Sequence, residues 1–214
     1  MPRFMGGVHL KFDWKNPSRA AVIALLAVLA IAFGFLADFI ITCFEKAAYP
    51  RDYAEYVEVY AETYGVPETV VYAVIHTESD FDSGAVSSVG AVGLMQMMPE
   101  TFTWLTDEIL FDHLDEGMLY DPETNIKYGT YYLSRLYDRY GDWDVTFAAY
   151  NGGSGNVDEW LADSEYADDE GGLKDIPFRE TRSYVKKVNK ALKKYERLYG
   201  KDIDAAEKDT EANP

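Results

Sequence analysis

Only one cysteine, Cys43, occurs in 214 residues, so no intrachain disulfide can form. It lies at the outer end of an apolar stretch. The preceding Ile40-Ile41-Thr42 lacks the small residue that a lipoprotein signal places before its cysteine, so lipidation is not expected. Histidine is scarce too. The three residues are scattered, and no C-x-x-C follows His76-x-Glu78 to complete a zinc-deaminase pattern. Asp80, Asp82 and Gly84 resemble the start of a calcium loop but lack its other ligands and closing Glu. No metal and no other cofactor is expected. Bases are outnumbered, 20 Lys and Arg against 37 Asp and Glu, for a net charge of −17. Phosphate binding needs clustered bases, so nucleic acid is excluded as a partner. The one basic stretch, Lys186 to Lys194, falls on an amphipathic helix and reads as its solvated face. No segment alternates with period two and no internal repeat is visible, which leaves a mainly α chain.

What the chain does have begins with an unbroken apolar run from Ala20 to Ala37, extended past Asp38 by Phe39 to Phe44. A membrane-spanning helix needs about 20 such residues. No A-x-A cleavage site is evident, so the run reads as an uncleaved anchor over residues 20–44. Asp38 lies near its far end, within reach of the interface. Arg3, Lys11, Lys15 and Arg19 precede the run, whereas Lys46 and Arg51 are offset by Glu45 and Asp52. This asymmetry predicts a short cytoplasmic N-terminus, residues 1–19, and an extracytoplasmic domain from residue 45.

Residues 45–200 read as helices. Tyr53, Tyr56, Val57, Tyr60 and Tyr64 recur at spacings of three and four between Asp52 and Tyr64. Gly65 ends that helix, and a second spans about Glu68 to Ser79 after Pro67. Gly84, Gly90 and Gly93 mark a loop over residues 80–93, and Pro99 starts another helix. Asp121-Pro122-Glu123 is a helix start, with the helix running to Tyr140 before Gly141. A short helix from Trp143 to Tyr150 is closed by Gly152-Gly153. Eight acids between Asp158 and Asp175, with Gly171-Gly172, predict a mobile loop. Arg182 to Tyr199 is an amphipathic helix, and residues 201–214 form a charged, frayed tail.

Glu78 ends an apolar helix just before the glycine-rich loop. Burial and the negative helix end would both raise its pKa, as a proton donor working at neutral pH requires. On these local features alone an ordinary surface or capping Glu remains the simpler reading. The surrounding pattern is more specific. Glu78-Ser79-Asp80-Phe81 is followed by Ala85 to Pro99 (A-V-S-S-V-G-A-V-G-L-M-Q-M-M-P), then Ala149-Tyr150-Asn151-Gly152-Gly153, then Glu180-Thr181-Arg182-Ser183-Tyr184-Val185. Four blocks in this order over residues 66–199 resemble the soluble-lytic-transglycosylase (SLT) family.

The resemblance implies a lysozyme-like helical domain with a substrate groove, preceded here by one N-terminal transmembrane helix. It makes Glu78 the catalytic acid and puts Ser87, Gln96, Met98, Tyr150 and Asn151 on the groove, holding the sugars. Glu180 and Tyr184 would flank the carboxyl from the other side. Each has a plainer reading: Gln96 as a cap of the Pro99 helix, Met98 as core, Tyr184 as packing of the last helix. The implied activity is cleavage of the β-1,4 bond between N-acetylmuramic acid and N-acetylglucosamine in peptidoglycan, leaving 1,6-anhydro-N-acetylmuramic acid ends. Most glycosidases use two carboxylates. The family uses one, with the substrate's own N-acetyl oxygen and C6 hydroxyl as nucleophiles.

Two departures stand out: Asp82-Ser83 where Asn-Pro is usual, and Gly152-Gly153 in place of Ala-Gly. Two alternatives stay open. One is a muramidase of the same fold using water, with Asp80, Asp82 or Glu180 as second acid. The other is a wall-opening or scaffold component of a secretion, conjugation or division machine.

Overall fold

The computed structural model describes residues 19–109 and 111–212. The expected basic N-terminus, with Arg3, Lys11 and Lys15, lies outside them. The chain divides into two compact units, Met1–Ala48 and Tyr49–Pro214. The first contains α1, Arg19–Ala48, whose most apolar window has a mean hydropathy of 2.8 and in which no residue is buried.

The second unit is built from α2 (Ala54–Tyr64), α3 (Glu68–Glu78), α4 (Pro99–Trp104), α5 (Pro122–Tyr140), α6 (Trp143–Gly152), α7 (Ser154–Ala162) and α8 (Arg179–Ala212). Between α4 and α5 lie a π turn, Leu105–Ile109, and a 3₁₀ turn, Glu116–Tyr120. The described residues contain only isolated β-bridges. Local chemistry sets the ends. Gly65 and Gly141, at φ 66° and 67°, take the left-handed caps of α2 and α5. Asp121 accepts from Thr124 N at 2.9 Å, and Asp142 accepts from Val145 N at 2.9 Å, each N-cap contributing about 1 kcal/mol.

The central element is α3. Its residues Val70 to Ile75 are all buried, too apolar all round for a surface helix. It packs chiefly against α8, with α2 alongside, and α6 packs on α5, α7 and α8. A smaller apolar cluster of Val92, Met97, Phe102, Leu105, Leu119 and Tyr128 holds α4 and the glycine-rich loop. Tyr195 and Tyr199 of α8 donate to the carbonyls of Pro50 and Tyr49 at 2.9 and 2.8 Å, and the Tyr49 ring packs on His76. The start of this unit is thereby fastened behind α3.

Two expectations need correction. The acidic stretch is not one mobile loop: residues 158–162 belong to α7, which buries Val157 and Trp160. Asp158 is drawn in by Arg139 at 2.6 Å and the Tyr140 hydroxyl at 3.0 Å, so the local repulsion is answered by α5. The rest is folded back by an Ala167–Leu173 bridge and by Arg182 to Asp175 at 3.1 Å. Nor does the last helix stop at Tyr199. It starts three residues earlier, at Arg179, and continues through Gly200 to Ala212, with Ile203 buried.

Candidate active site

Glu78 occupies the last residue of α3, and the chain turns sharply behind it. Ser79 closes the helix, its N–H donating to Ile75 O at 3.0 Å and its hydroxyl to Leu94 O at 2.8 Å. Asp80 and Phe81 are then both left-handed, at φ 50° and 66°, a strained pair held by burial of the Phe81 ring. The helix can carry Glu78 to the edge of the core because the next residues leave at once.

The loop after it is pinned from within. Ser87 Oγ accepts from Ala91 N at 2.9 Å, and Gln96 Nε2 donates to Ala85 O at 3.1 Å and Gly93 O at 2.9 Å. Val92 and Met97 exchange backbone bonds at 2.9 and 3.0 Å. Asn125, buried on α5, completes the frame: its Oδ1 accepts from Met95 N at 2.8 Å while Nδ2 donates to Val92 O and Leu119 O at 2.9 and 2.8 Å. Gly93, at φ 80°, has no room for a side chain, since a Cβ would sit 2.5 Å from Leu119 O. Tyr150 donates to Met95 O at 2.8 Å from α6.

A cavity of about 510 Å³ opens beside the carboxyl, lined by Thr77, Glu78, Asn151, Arg179, Glu180, Ser183, Tyr184 and Lys187. A second, of about 580 Å³, shares Asn151, Arg179 and Glu180 and extends toward Phe178. Burial pushes the Glu78 carboxyl up to about 7. The Tyr184 hydroxyl pulls the other way: it is near enough to favour the carboxylate, yet buried without a well-aligned hydrogen bond. Burial, then the charge of Glu78, pushes both Tyr150 and Tyr184 well above the usual phenol range, so both stay protonated. A carboxyl with a pKa near 7 is present in both forms at neutral pH and can give a proton and then take one.

The structure therefore brings together Glu78, Asn151, Glu180 and Tyr184 around the cavity, with the half-buried Tyr150 near enough to feel the charge of Glu78. Ser87, Gln96 and Met98 are not among its lining residues. Gln96 and Ser87 spend their side chains inside the loop; Gln96 does not cap α4, whose N-cap is Met98, an exposed residue rather than core. Sequence reasoning missed Thr77, Arg179, Ser183 and Lys187. The last three recur every fourth residue beside Glu180 and Tyr184, so helical spacing carried the signal. Asn125 gave none.

Comparison with known proteins bears on the family and the fold. Residues 55–171 match the model of the transglycosylase SLT domain. Over 143 residues the chain is 38% identical to the soluble lytic murein transglycosylase of Escherichia coli K12, covering 65% of this chain and 22% of that protein. It is 32% identical over 173 residues to the membrane-bound lytic murein transglycosylase C of Edwardsiella ictaluri, covering 68% and 47%. The crystal structure of the 70 kDa soluble lytic transglycosylase of Escherichia coli superposes with a TM-score of 0.66 at 35% identity, over 73% of this chain and 26% of that one. An inactive glutamate-to-glutamine mutant of the lytic transglycosylase Slt from Pseudomonas aeruginosa gives 0.63 at 32%, over 73% and 25%. A helical domain with a half-buried carboxyl on a cleft defines a lysozyme-like class of fold. Within it, the chain belongs to the transglycosylase SLT family. It spans about a quarter of the length of its soluble relatives.

Proposed function

We propose that this protein is a membrane-anchored peptidoglycan lytic transglycosylase with Glu78 as its sole acid/base. One observation carries the reading: the Glu78 carboxyl, raised to about 7 by burial, faces a cavity large enough for sugar. The names of its relatives, and the inactivity of one relative's Glu-to-Gln mutant, support it.

Protonated Glu78 gives its proton to the β-1,4 oxygen as the bond to C1 of N-acetylmuramic acid breaks. The N-acetyl oxygen attacks C1 from the opposite face. Glu78, now ionised, takes the proton of the C6 hydroxyl, which displaces the N-acetyl oxygen and closes the 1,6-anhydro ring. An internal nucleophile gains from proximity. Asn151 and Glu180 hold the sugars directly, while the buried Tyr184 hydroxyl acts on the Glu78 carboxyl. Met98 offers an exposed apolar contact, while Ser87, Gln96 and Tyr150 act through the shape of the loop.

The anchor is residues 20–44. A 30-residue helix is roughly 45 Å long, more than the hydrocarbon core requires. The basic N-terminus stays in the cytoplasm and the catalytic domain lies outside. Protease added to intact spheroplasts is expected to remove the domain, and protection until lysis would reverse that topology.

A second carboxyl on the cavity, Glu180, favours one competing reading, a muramidase that activates water. Digestion of purified sacculi in ¹⁸O-water separates the two. Anhydro ends without label are expected; labelled reducing ends would establish hydrolysis.

A further inference from the structure

His76 stands two residues before Glu78 in the last turn of α3, and the mechanism makes no use of it. Its imidazole is half-buried among three rings and a carboxylate. The Tyr49 ring lies on it with centroids 4.7 Å apart, and Tyr195 of α8 meets it edge to face at 6.2 Å. Phe81 lies at 6.5 Å. Asp80 Oδ1 comes within 3.0 Å of the buried Nδ1, without the alignment of a hydrogen bond. Asp80 and Phe81 are the two left-handed residues that follow Glu78. The ring therefore spans Glu78, from the helix before it to the turn after it.

What backs this ring comes from outside α3. Tyr49 is the first residue of the second unit and follows α1 directly. Its carbonyl and that of Pro50 accept from Tyr199 and Tyr195 of α8. The Arg51 guanidinium lies 5.5 Å from the ring centres of Tyr72 and Tyr199 and pairs with Glu68 at 3.2 Å. Three successive residues are thus pinned, although none of them lines the cavity. We infer that His76 is a positioning residue for Glu78 and that Tyr49 holds it in place, so the residue directly after α1 also keeps the catalytic turn in shape. The inference rests on Glu78 being the acid of the glycan-cleaving reading above. A strained left-handed pair persists only while its surroundings over-determine it. Without the ring behind it the turn relaxes and Glu78 moves toward water. Two quantities follow that movement rather than overall stability. One is kcat, which falls steeply when a reacting group is misplaced. The other is the proton affinity of the carboxyl, which burial raises.

The test uses the full chain in detergent on purified glycan strands and reads kcat, KM and the alkaline limb of the pH profile. His76→Ala and Tyr49→Ala are each expected to lower kcat about tenfold with KM unchanged. Both are also expected to move the limb from about 7 toward the ordinary carboxylate range. The other titratable groups facing Glu78 are Tyr150 from α6 and Arg179, Glu180, Tyr184 and Lys187 from α8, and these variants leave them in place. His76→Phe and Tyr49→Phe keep a ring at each position and are expected to restore both readouts. Leu136→Ala, a change in the buried core of α5 away from the cavity, is expected to lower the melting temperature without moving the limb. Should Tyr49→Ala fail to fold, the two variants of the half-exposed His76 decide alone. Alanine variants that melt lower but keep the kcat and limb of the wild type would make these contacts structural only, and a limb moved equally by Leu136→Ala would do the same. Were His76 itself the titrating group, His76→Phe would move the limb and Tyr49→Ala would not. Each of these results overturns the inference. A wild type with no limb near pH 7 would instead sink Glu78 as the acid.

Discussion

Two walls of the site are made differently. The wall that follows Glu78, set back from the residues that line the cavity, is a loop whose polar side chains are spent on its own backbone: Ser87, Gln96 and, from behind, Asn125. The wall from α8 is regular helix and spends almost nothing on itself, so Arg179, Glu180, Ser183 and Lys187 are free to face a ligand. One wall sets position and the other supplies contacts. Substitutions in the first are expected to read out as stability, and in the second as KM or pH dependence. Glu78 belongs to both, as the end of the rigid part and the reacting group.

Glu78→Gln gives the largest expected effect. It keeps the shape but removes the proton donor, for a loss of at least about 10²–10⁴-fold in cleavage. The same variant tests the cost of burial. The folded carboxyl has a pKa of about 7 against 4.5 when exposed, so the folded state binds the extra proton. Its penalty is absent below about pH 4.5, grows between 4.5 and 7, and is complete above 7. Glu78→Gln is therefore expected to be more stable than wild type at pH 8, by about 3 kcal/mol at most, and to lose that advantage at pH 4. Thermal melts at the two pH values check this, and equal melts at pH 8 would mean the carboxyl carries no such strain.

Asn125→Ala breaks the loop wall from behind. It strands Met95 N–H and the carbonyls of Val92 and Leu119, with an expected loss of about 3 kcal/mol in denaturant unfolding. If the loop positions Glu78, activity falls even where the variant is fully folded. Activity kept in a destabilised variant would show the two walls to be independent.

The helices were legible because apolar spacing and caps are local. The Asp121 and Gly141 boundaries of α5 follow from single residues whose chemistry needs no partner. What the sequence hid depends on partners far along the chain. Asp158 looked repelled until Arg139 and Tyr140 came to meet it. Asn125 looks like any helix-face Asn until α5 turns it into the loop. Gln96 was chosen as a sugar contact by resemblance, but its side chain closes the loop, a role its residue type does not disclose. The α8 wall was half read: Glu180 and Tyr184 came from a motif, while Arg179, Ser183 and Lys187 follow only once that motif is placed on a helix starting at Arg179.

Tyr184→Phe has the smallest expected effect and sharpens the comparison most. The ring is buried against α3, but its hydroxyl has no well-aligned hydrogen bond, so removing it is expected to change stability by less than about 1 kcal/mol. Its effect is electrostatic. The phenol favours the Glu78 carboxylate, opposing the burial that raises the pKa. Without it the carboxyl holds its proton to higher pH. A general acid works only while protonated, so kcat/KM of the wild type is expected to fall as pH rises through about 7, and this limb moves to higher pH in the variant. The same change leaves a weaker acid, so the plateau below pH 6 drops slightly. A pH profile from 5 to 9 on defined strands decides the role. A limb that stays in place while KM rises would make Tyr184 a sugar contact like its neighbours on α8, and would leave burial alone to set the proton affinity of Glu78.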